Sequence, residues 1–136
     1  MSTDTDLVAR FEADPYADHL NMTLVEVRPG YARAEMDAAE ELANFQGYIQ
    51  GGALVSLADY AFAAAANSHG IGALALSISF NFVGVVRPGP RLTAEATEEK
   101  HGRRTGLYKL EVKLANGTLI ASGQGLAYRQ DPAPAS

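Results

Sequence analysis

Residues 51–68 read GGALVSLADYAFAAAANS, and this segment organises the whole chain. Its apolar residues recur at helical spacing, which predicts a helix from about Gly52 to Ser68 with Gly70 as its natural stop. The residues that set this spacing are Leu54, Leu57, Ala58, Ala61, Phe62 and Ala65. Around Asp59 the helix is apolar on nearly every side, so we expect other structure to surround it.

The chain on both sides of this helix has the patterns of β-strands. Before it, two strands at residues 22–27 and 31–38 are joined by the turn dipeptide Pro29-Gly30. After it we expect a four-stranded antiparallel meander with a hairpin turn at Asn116-Gly117. Its strands are predicted at residues 74–82, 92–99, 107–114 and 118–129. This order predicts an α+β fold in which a curved antiparallel sheet wraps around one long central helix.

The remaining segments are short. A helix is predicted at about residues 3–13, capped by Thr3 or Asp4 and ended by Asp14-Pro15. Residues 40–50 are predicted to form a loop, and residues 131–136 a flexible tail. We therefore expect a single domain over residues 1–136.

Composition excludes several classes of protein. The chain has 136 residues and a formal net charge of −5, so we expect no nucleic-acid partner. It has no cysteine, which excludes disulfides, thiolate nucleophiles and cysteine zinc sites. Because neither a signal-peptide pattern nor a membrane-spanning run occurs, we expect a cytoplasmic protein without a membrane partner. His19, His69 and His101 lie too far apart for a metal-binding spacing, so no metal is expected.

Asp59 is a lone carboxylate in the middle of the apolar helix. Its neighbours one turn away, Val55, Ser56, Phe62 and Ala63, include no base that could pair with it. If this carboxylate is buried, it must be hydrogen-bonded or have a raised pKa, and such groups are good functional candidates. The alternative is that Asp59 lies on a solvated stripe or at a contact between subunits.

Polar groups that could serve a reaction lie near the start of this helix. Gly51-Gly52 would let a ligand approach closely and would leave free N–H groups at the positive end of the helix, as an oxyanion hole requires. Asn44 and Gln50 could hydrogen-bond a carbonyl or orient a water, and Ser79 on the following strand could also position a water. For each of them an ordinary turn or strand contact is the alternative.

The segment Lys100-His101-Gly102-Arg103-Arg104-Thr105 is the densest basic cluster in an acidic chain. It falls in a predicted hairpin loop, where a solvated turn is one interpretation. The other is a contact with phosphate groups, whose geometry arginine matches.

These motifs resemble the signature of the phenylacetate-degradation (PaaI-type) branch of the hotdog thioesterases. That family reads Asn-x-x-Gly-x-x-His-Gly-Gly and then Leu-Ala-Asp, where this chain has Asn44-x-x-Gly47-x-x-Gln50-Gly51-Gly52 and Leu57-Ala58-Asp59. The similarity continues at residues 77–82, 91–95 and 104–106 and covers roughly residues 31–128. The resemblance implies a hotdog fold and hydrolysis of an acyl-CoA or aryl-acyl-CoA thioester to the free acid and CoA.

The resemblance also implies roles for the candidate residues. Asp59 would be the nucleophile or the general base, and the Gly52 N–H would polarise the thioester carbonyl from the other subunit. Asn44 and Gln50 would flank the carbonyl, and Ser79 would hold the water. The residues expected to contact the substrate or its CoA phosphates are Gly51, Lys100, Arg103, Arg104 and Thr105. A homodimer or a dimer of dimers is implied, with the sites at the interface and no cofactor other than the CoA of the substrate.

The chain departs from the family pattern at two places. Gln50 replaces the usual histidine, and glutamine can orient a carbonyl but cannot titrate. This replacement motivates the alternative of a non-catalytic acyl-CoA-binding or regulatory domain. A hydratase on the same fold is a weaker alternative, because hotdog hydratases typically pair an aspartate with a histidine. The family's Arg-Pro after Asn-Phe is replaced by Val83-Gly84-Val85, and Arg87-Pro88 follows downstream.

Overall fold

The computed structural model describes residues 5–130. Within these residues the chain forms helices α1 (Thr5–Glu12), α2 (Pro15–Leu20) and α3 (Gly51–Asn67). Its strands are β1 (Thr23–Arg28), β2 (Tyr31–Asp37), β3 (Ala73–Phe82), β4 (Arg91–His101), β5 (Thr105–Leu114) and β6 (Leu119–Arg129). The loop before α3 contains a 3-10 turn at Glu40–Leu42. The predicted cap at Thr3 or Asp4 and the tail at residues 131–136 lie outside the described residues.

All six strands join one antiparallel sheet in the order β1-β2-β4-β5-β6-β3. The predicted four-stranded meander is wrong in one respect, because β3 pairs with β6 at the edge of the sheet while β2 takes the place beside β4. Gly123 explains why β6 accepts this neighbour. A side chain there would collide with the backbone carbonyl oxygen of Ser79, so only glycine permits the close approach.

Helix α3 lies against the sheet and forms the centre of the core. Leu57, Ala58 and Ala61 have no exposed surface, and Phe62 packs against Tyr108 of β5 with ring centroids 5.4 Å apart. The helix contacts all six strands, because the sheet curves around it. The predicted wrapping of an apolar helix is therefore confirmed. Among the described residues, no helix combines the length and apolar character needed to cross a bilayer.

The N-terminal segment contains a helix that the sequence did not predict. Asp14 and Pro15 do end α1, but they also begin α2. The Asp14 carboxylate accepts hydrogen bonds from the amides of Tyr16 (2.9 Å) and Ala17 (3.2 Å), while Pro15 occupies the first turn, where its missing N–H leaves no bond unmade. Asn21 ends α2 in the left-handed conformation, with φ of 57°.

Strand β3 is an edge strand with unusual apolar exposure. A bulge between Ala75 and Ser77 interrupts the alternation that its sequence shows, and Leu74 and Leu76 are each 58% exposed. Phe82 is 54% exposed at its end. An exposed edge with apolar side chains is suited to pairing with a second chain.

Candidate active site

One stripe of α3 remains uncovered by the sheet. It runs through residues at helical spacing that are all partly or fully exposed, namely Gly52, Ser56, Asp59 and Ala63. Most of the positions between them are buried. The first helices of the chain lie beside this stripe. Tyr60, next to Asp59, donates a hydrogen bond from its hydroxyl to the carbonyl oxygen of Phe11 at 2.9 Å, which docks α1 onto α3. The functional groups of the helix are therefore confined to this stripe.

Asp59 opens onto a small cavity of about 80 Å³. Its side chain is exposed in the protomer, and no described residue donates a hydrogen bond to its carboxylate. Phe11, Met22, Tyr60 and Ala63 nevertheless line the same cavity, and desolvation raises the pKa of Asp59 above its ordinary value of 3.8. An unpaired carboxylate of raised pKa at a cavity can bind a proton or a water, as a hydrolytic base does.

The two glycines at the start of α3 have different surroundings. The amides of Ala53 and Leu54 donate to the carbonyl oxygen of Gln50, but within the described residues no acceptor binds the amide of Gly51 or Gly52. The ring of Phe82 lies against Gly51, within 3.1 Å of where a Cβ would stand, whereas at Gly52 the nearest atom to that position is Gln50 Cγ, at 3.9 Å. A ligand carbonyl can therefore reach the amide of Gly52 at the positive end of the helix.

The loop before α3 brings Asn44 and Gln50 to the same place. Asn44 Oδ1 accepts hydrogen bonds from the amides of Gln46 (2.9 Å) and Tyr48 (3.2 Å), so this residue first of all forms a turn. Asn44 also lines the groove that Gln50 and Gly52 line. Gln50 is exposed and precedes the helix without capping it through its side chain. Three predicted residues, Asn44, Gln50 and Gly52, are thus brought together.

Asp59 is not brought to these three residues within one protomer. Gly52 and Asp59 are separated by about 10 Å along the helix, since each residue rises 1.5 Å. A carbonyl bound at the Gly52 amide therefore lies beyond the reach of the Asp59 carboxylate of the same chain. The groove at Gly52 and the cavity at Asp59 are neighbours, and Tyr16 of α2 borders both of them.

The other predicted residues lie elsewhere. Ile78 and Phe80 pack against the core, so Ser79 between them points to the opposite face of β3, away from α3. Lys100, Arg103, Arg104 and Thr105 are exposed at the β4–β5 hairpin. Strand pairing extends further than predicted, and only residues 102–104 connect the two strands. This hairpin lies near the C-terminal end of α3, because His101 contacts His69 there.

A polar cluster beneath this hairpin was not predicted. Glu98 Oε2 accepts hydrogen bonds from Tyr108 Oη (2.7 Å), His69 Nε2 (3.0 Å) and Arg129 Nη2 (3.2 Å). Arg129 is 4% exposed, and its Nη1 also donates to the carbonyl oxygens of Gly102 and Thr105. The cluster therefore fixes the hairpin to β6 and to the end of α3. No local pattern in the sequence predicts this cluster, because its members come from four separate segments.

His69, Glu98 and His101 have ligand atoms within 4.8 Å of one another, as a metal site would need. Arg129 Nη2 lies 2.8 Å from His101 Nδ1 as well as 3.2 Å from the Glu98 carboxylate. A guanidinium that is almost completely buried there opposes a second cation. These residues are better suited to an ion-pair cluster than to a metal site.

The curved sheet around a single helix is the hotdog fold, and the amide and carboxylate on the open stripe are groups that a hydrolase of this fold can use. The chain belongs to the thioesterase superfamily, whose sequence profile matches residues 46–121, more than half of its length. The predicted fold and family are confirmed, and so is the prediction of a thioester hydrolase at the level of the family.

Individual relatives agree with this assignment. A protein of Archaeoglobus fulgidus, provisionally named an esterase, is 39% identical over 119 residues, which are 88% of this chain and 77% of the relative. The acyl-coenzyme A thioesterase PaaI of Escherichia coli is 32% identical and covers 89% of this chain and 86% of its own. The solved structure of the E. coli PaaI protein from the phenylacetic acid degradation operon has a TM-score of 0.87, with 90% of this chain and 89% of that chain covered.

The polar cluster predicts a pH-dependent contribution to stability. Desolvation acts to raise the pKa of Glu98, but hydrogen bonds from Tyr108, His101 and His69 outweigh it and hold the pKa below its ordinary value of 4.5. A depressed pKa stabilises the fold above the ordinary value, and this stabilisation is lost as pH falls through the folded-state pKa. Glu98→Gln should therefore lower the free energy of unfolding by about 2 kcal/mol at neutral pH, and by progressively less below about pH 4.5, in urea titrations.

Glu26→Gln is the matched control. Glu26 lies 3.6 Å from Arg28 and 3.9 Å from Arg33 in partly exposed ion pairs. Its replacement should therefore lower the free energy of unfolding by less than about 1 kcal/mol, both at neutral pH and below about pH 4.5. If Glu98→Gln lowers the free energy of unfolding at neutral pH by no more than Glu26→Gln does, the cluster does not stabilise the fold as inferred.

Proposed function

We propose that the protein hydrolyses an acyl-CoA thioester with water to the free acid and CoA. The observation that carries this proposal is the free amide of Gly52 and the unpaired carboxylate of Asp59 on one open stripe of α3. The name of the E. coli relative, an acyl-coenzyme A thioesterase, supports CoA as the thiol that leaves.

The geometry supports the following chemistry. The Gly52 N–H donates to the thioester carbonyl oxygen and stabilises the negative charge that develops on it, helped by the positive end of the helix dipole. Asp59 either takes a proton from the attacking water or attacks the carbonyl carbon itself to form an anhydride that water then hydrolyses. In both routes the carbon–sulfur bond breaks and CoA leaves as the thiolate. Asn44 and Gln50 flank the carbonyl and need not titrate.

The same geometry favours a site made by two protomers. Because about 10 Å of helix separates Gly52 from Asp59, a carbonyl on the amide of one chain needs the carboxylate of another. The exposed apolar edge of β3 offers the surface through which a second copy would pair. We propose a homodimer, or a dimer of dimers built from it, with two equivalent sites at the interface.

Two further roles remain predictions within this proposal. The exposed basic residues of the β4–β5 hairpin would contact CoA phosphates, and α3 places them about 25 Å from Gly52 of the same chain. They would therefore serve a site that includes another protomer's groups. Ser79 points away from α3 in its own protomer, so a water held by it would also have to belong to a shared site. The cytoplasmic location likewise stays a prediction.

Asp59→Asn should lower kcat by at least about 100-fold, because an amide can neither attack nor accept the proton. The carboxylate must be ionised to act, so wild-type kcat should fall as pH drops through the pKa of Asp59. Since desolvation raises that pKa, the acid limb should lie above 3.8, the ordinary value for an aspartate. The kcat of the variant and the pH dependence of the wild-type kcat are both measured over a panel of acyl-CoA substrates, with a thiol reagent that detects the released CoA.

Asp18→Asn on the exposed face of α2 is the control for this substitution and should leave kcat unchanged. Full activity of Asp59→Asn would refute the site assignment. Wild-type protein that binds acyl-CoA in calorimetry but releases no thiol would instead support the non-catalytic alternative that Gln50 motivates.

Leu76→Asp should convert the dimer into monomers and reduce thioesterase activity by at least about 100-fold. A carboxylate placed at the β3 edge cannot be buried against a second copy without a large desolvation cost. Light scattering after size exclusion gives the molar mass, and circular dichroism shows whether the protomer stays folded.

Val25→Asp provides the comparison at the other edge of the sheet. Val25 lies on β1 and is 37% exposed, so the same change there should leave both molar mass and activity as in the wild type. A monomeric Leu76→Asp protein with full activity would show that one protomer suffices.

A further inference from the structure

The groove at Gly52 is lined mostly by apolar side chains. It has a volume of about 540 Å³ and lies between α2, the 3-10 turn and the first turn of α3. Its apolar lining consists of Leu20, Leu42, Ala43, Phe45 and Ala53, and Phe45 is 96% exposed. Among the described residues that line the groove, the single charged side chain is that of Glu41.

This lining distinguishes between the two halves of a CoA thioester. The nucleotide half carries several phosphate charges, and an apolar wall next to the carboxylate of Glu41 is unfavourable for it. The acyl half is apolar and gains from the burial of its methylene groups there. A thioester whose carbonyl binds the Gly52 amide would therefore direct its acyl group into this groove.

Tyr16 closes the groove on the side of Asp59. Its ring borders both the groove and the small cavity at Asp59, and its hydroxyl is hydrogen-bonded to that of Ser56 at 2.8 Å. Ser56 lies on the open stripe between Gly52 and Asp59, so this bond holds the Tyr16 hydroxyl at a position on α3 between those two residues.

The ring of Tyr16 is held in place although it is 58% exposed. Its own amide is bound by the Asp14 cap, and Ala17, the next residue, is 2% exposed and anchors α2 in the core. At the other end of the helix, the amide of Met22 donates to the carbonyl oxygen of Ala17 at 2.8 Å. A fixed ring at the end of an apolar groove limits the length of the group that the groove can hold.

We propose that Tyr16 is a specificity-determining residue, and that the groove takes an uncharged apolar acyl group whose length the Tyr16 ring limits. This inference rests on the proposed function and adds to it the class of acyl group. An acyl group with a terminal carboxylate is disfavoured, because its charge would be desolvated in the groove and repelled by Glu41.

The test uses a series of acyl-CoA substrates with straight acyl chains of increasing length. It also includes one substrate whose acyl chain ends in a carboxylate. Tyr16→Ala joins the groove to the cavity at Asp59, so the ratio of kcat/KM for long over short acyl groups should rise by at least about 10-fold, as expected when an apolar pocket gains room for methylene groups. Tyr16→Phe keeps the ring but loses the bond to Ser56, and it should shift the ratio less. Wild-type kcat/KM for the carboxylate-ended substrate should be at least about 10-fold below that of the uncharged substrate of equal length.

Tyr128→Ala is the matched control. Tyr128 is 36% exposed near the end of β6, outside both cavities, and its loss should leave the ratio unchanged. Because the readout is a ratio between acyl groups, a general loss of stability does not imitate the expected shift.

The outcomes separate this inference from the proposed function. Turnover by the wild type with an unchanged ratio in Tyr16→Ala would overturn the inference and leave the proposed function standing. If the wild type turns over no acyl-CoA, the proposed function fails, and dissociation constants for the same panel decide the inference. If Tyr16→Ala tightens the binding of long acyl groups relative to short ones, the inference is supported. If the ratio of the dissociation constants for long and short acyl groups is unchanged, the inference is overturned.

Discussion

Helix α3 would be poorly soluble by itself, and it is stable because a six-stranded sheet curves around it and removes its side chains from water. The contact depends on small residues. Ala58, Ala61 and Ala65 have no exposed surface, and Gly125 of β6 leaves room for the ring of Phe62. Because the sheet covers almost the whole helix, its polar groups have only one stripe on which to meet solvent or substrate.

That confinement determines what the site can be. The start of α3 presents a free amide at Gly52, and the middle presents the carboxylate of Asp59, but a straight helix holds them about 10 Å apart. In the proposed mechanism a single protomer therefore has two half-sites and not one complete site. The exposed apolar edge of β3 is the feature of the protomer that most needs a second copy. Dimerisation would join the two half-sites and cover this edge at the same time.

Much of this arrangement follows from local sequence patterns. The helical spacing around Leu57 and Phe62 and the alternation in the strands predict the elements, since burial on one face or around a whole helix is a local property. The spacing of Gly51-Gly52 from Asp59, combined with the resemblance, also indicated the amide and the carboxylate that the proposed function uses. For Asn44, a turn contact was the alternative to binding a carbonyl or a water. The structure shows that its side chain does form the turn.

Other features could not be read in the same way. Strand pairing is not local, so the sequence did not distinguish β6 from β4 as the neighbour of β3. Helix α2 is too short to show a period, although Asp14 before Pro15 is the cap and first-turn pair that could have revealed it. The cluster around Glu98 joins residues from four segments, and only the fold brings them together.

Subunit mixing tests most directly whether the site is shared. Asp59→Asn removes the carboxylate, and Gly52→Pro removes the amide hydrogen in the first helical turn, where proline is tolerated. Each variant alone should be inactive. If Asp59 of one protomer acts with Gly52 of its partner, random reassociation of the two variants should restore about a quarter of wild-type activity, because half of the dimers then have one intact site of two. A mixture that stays as inactive as its parents, with heterodimers shown to form, would contradict the shared site.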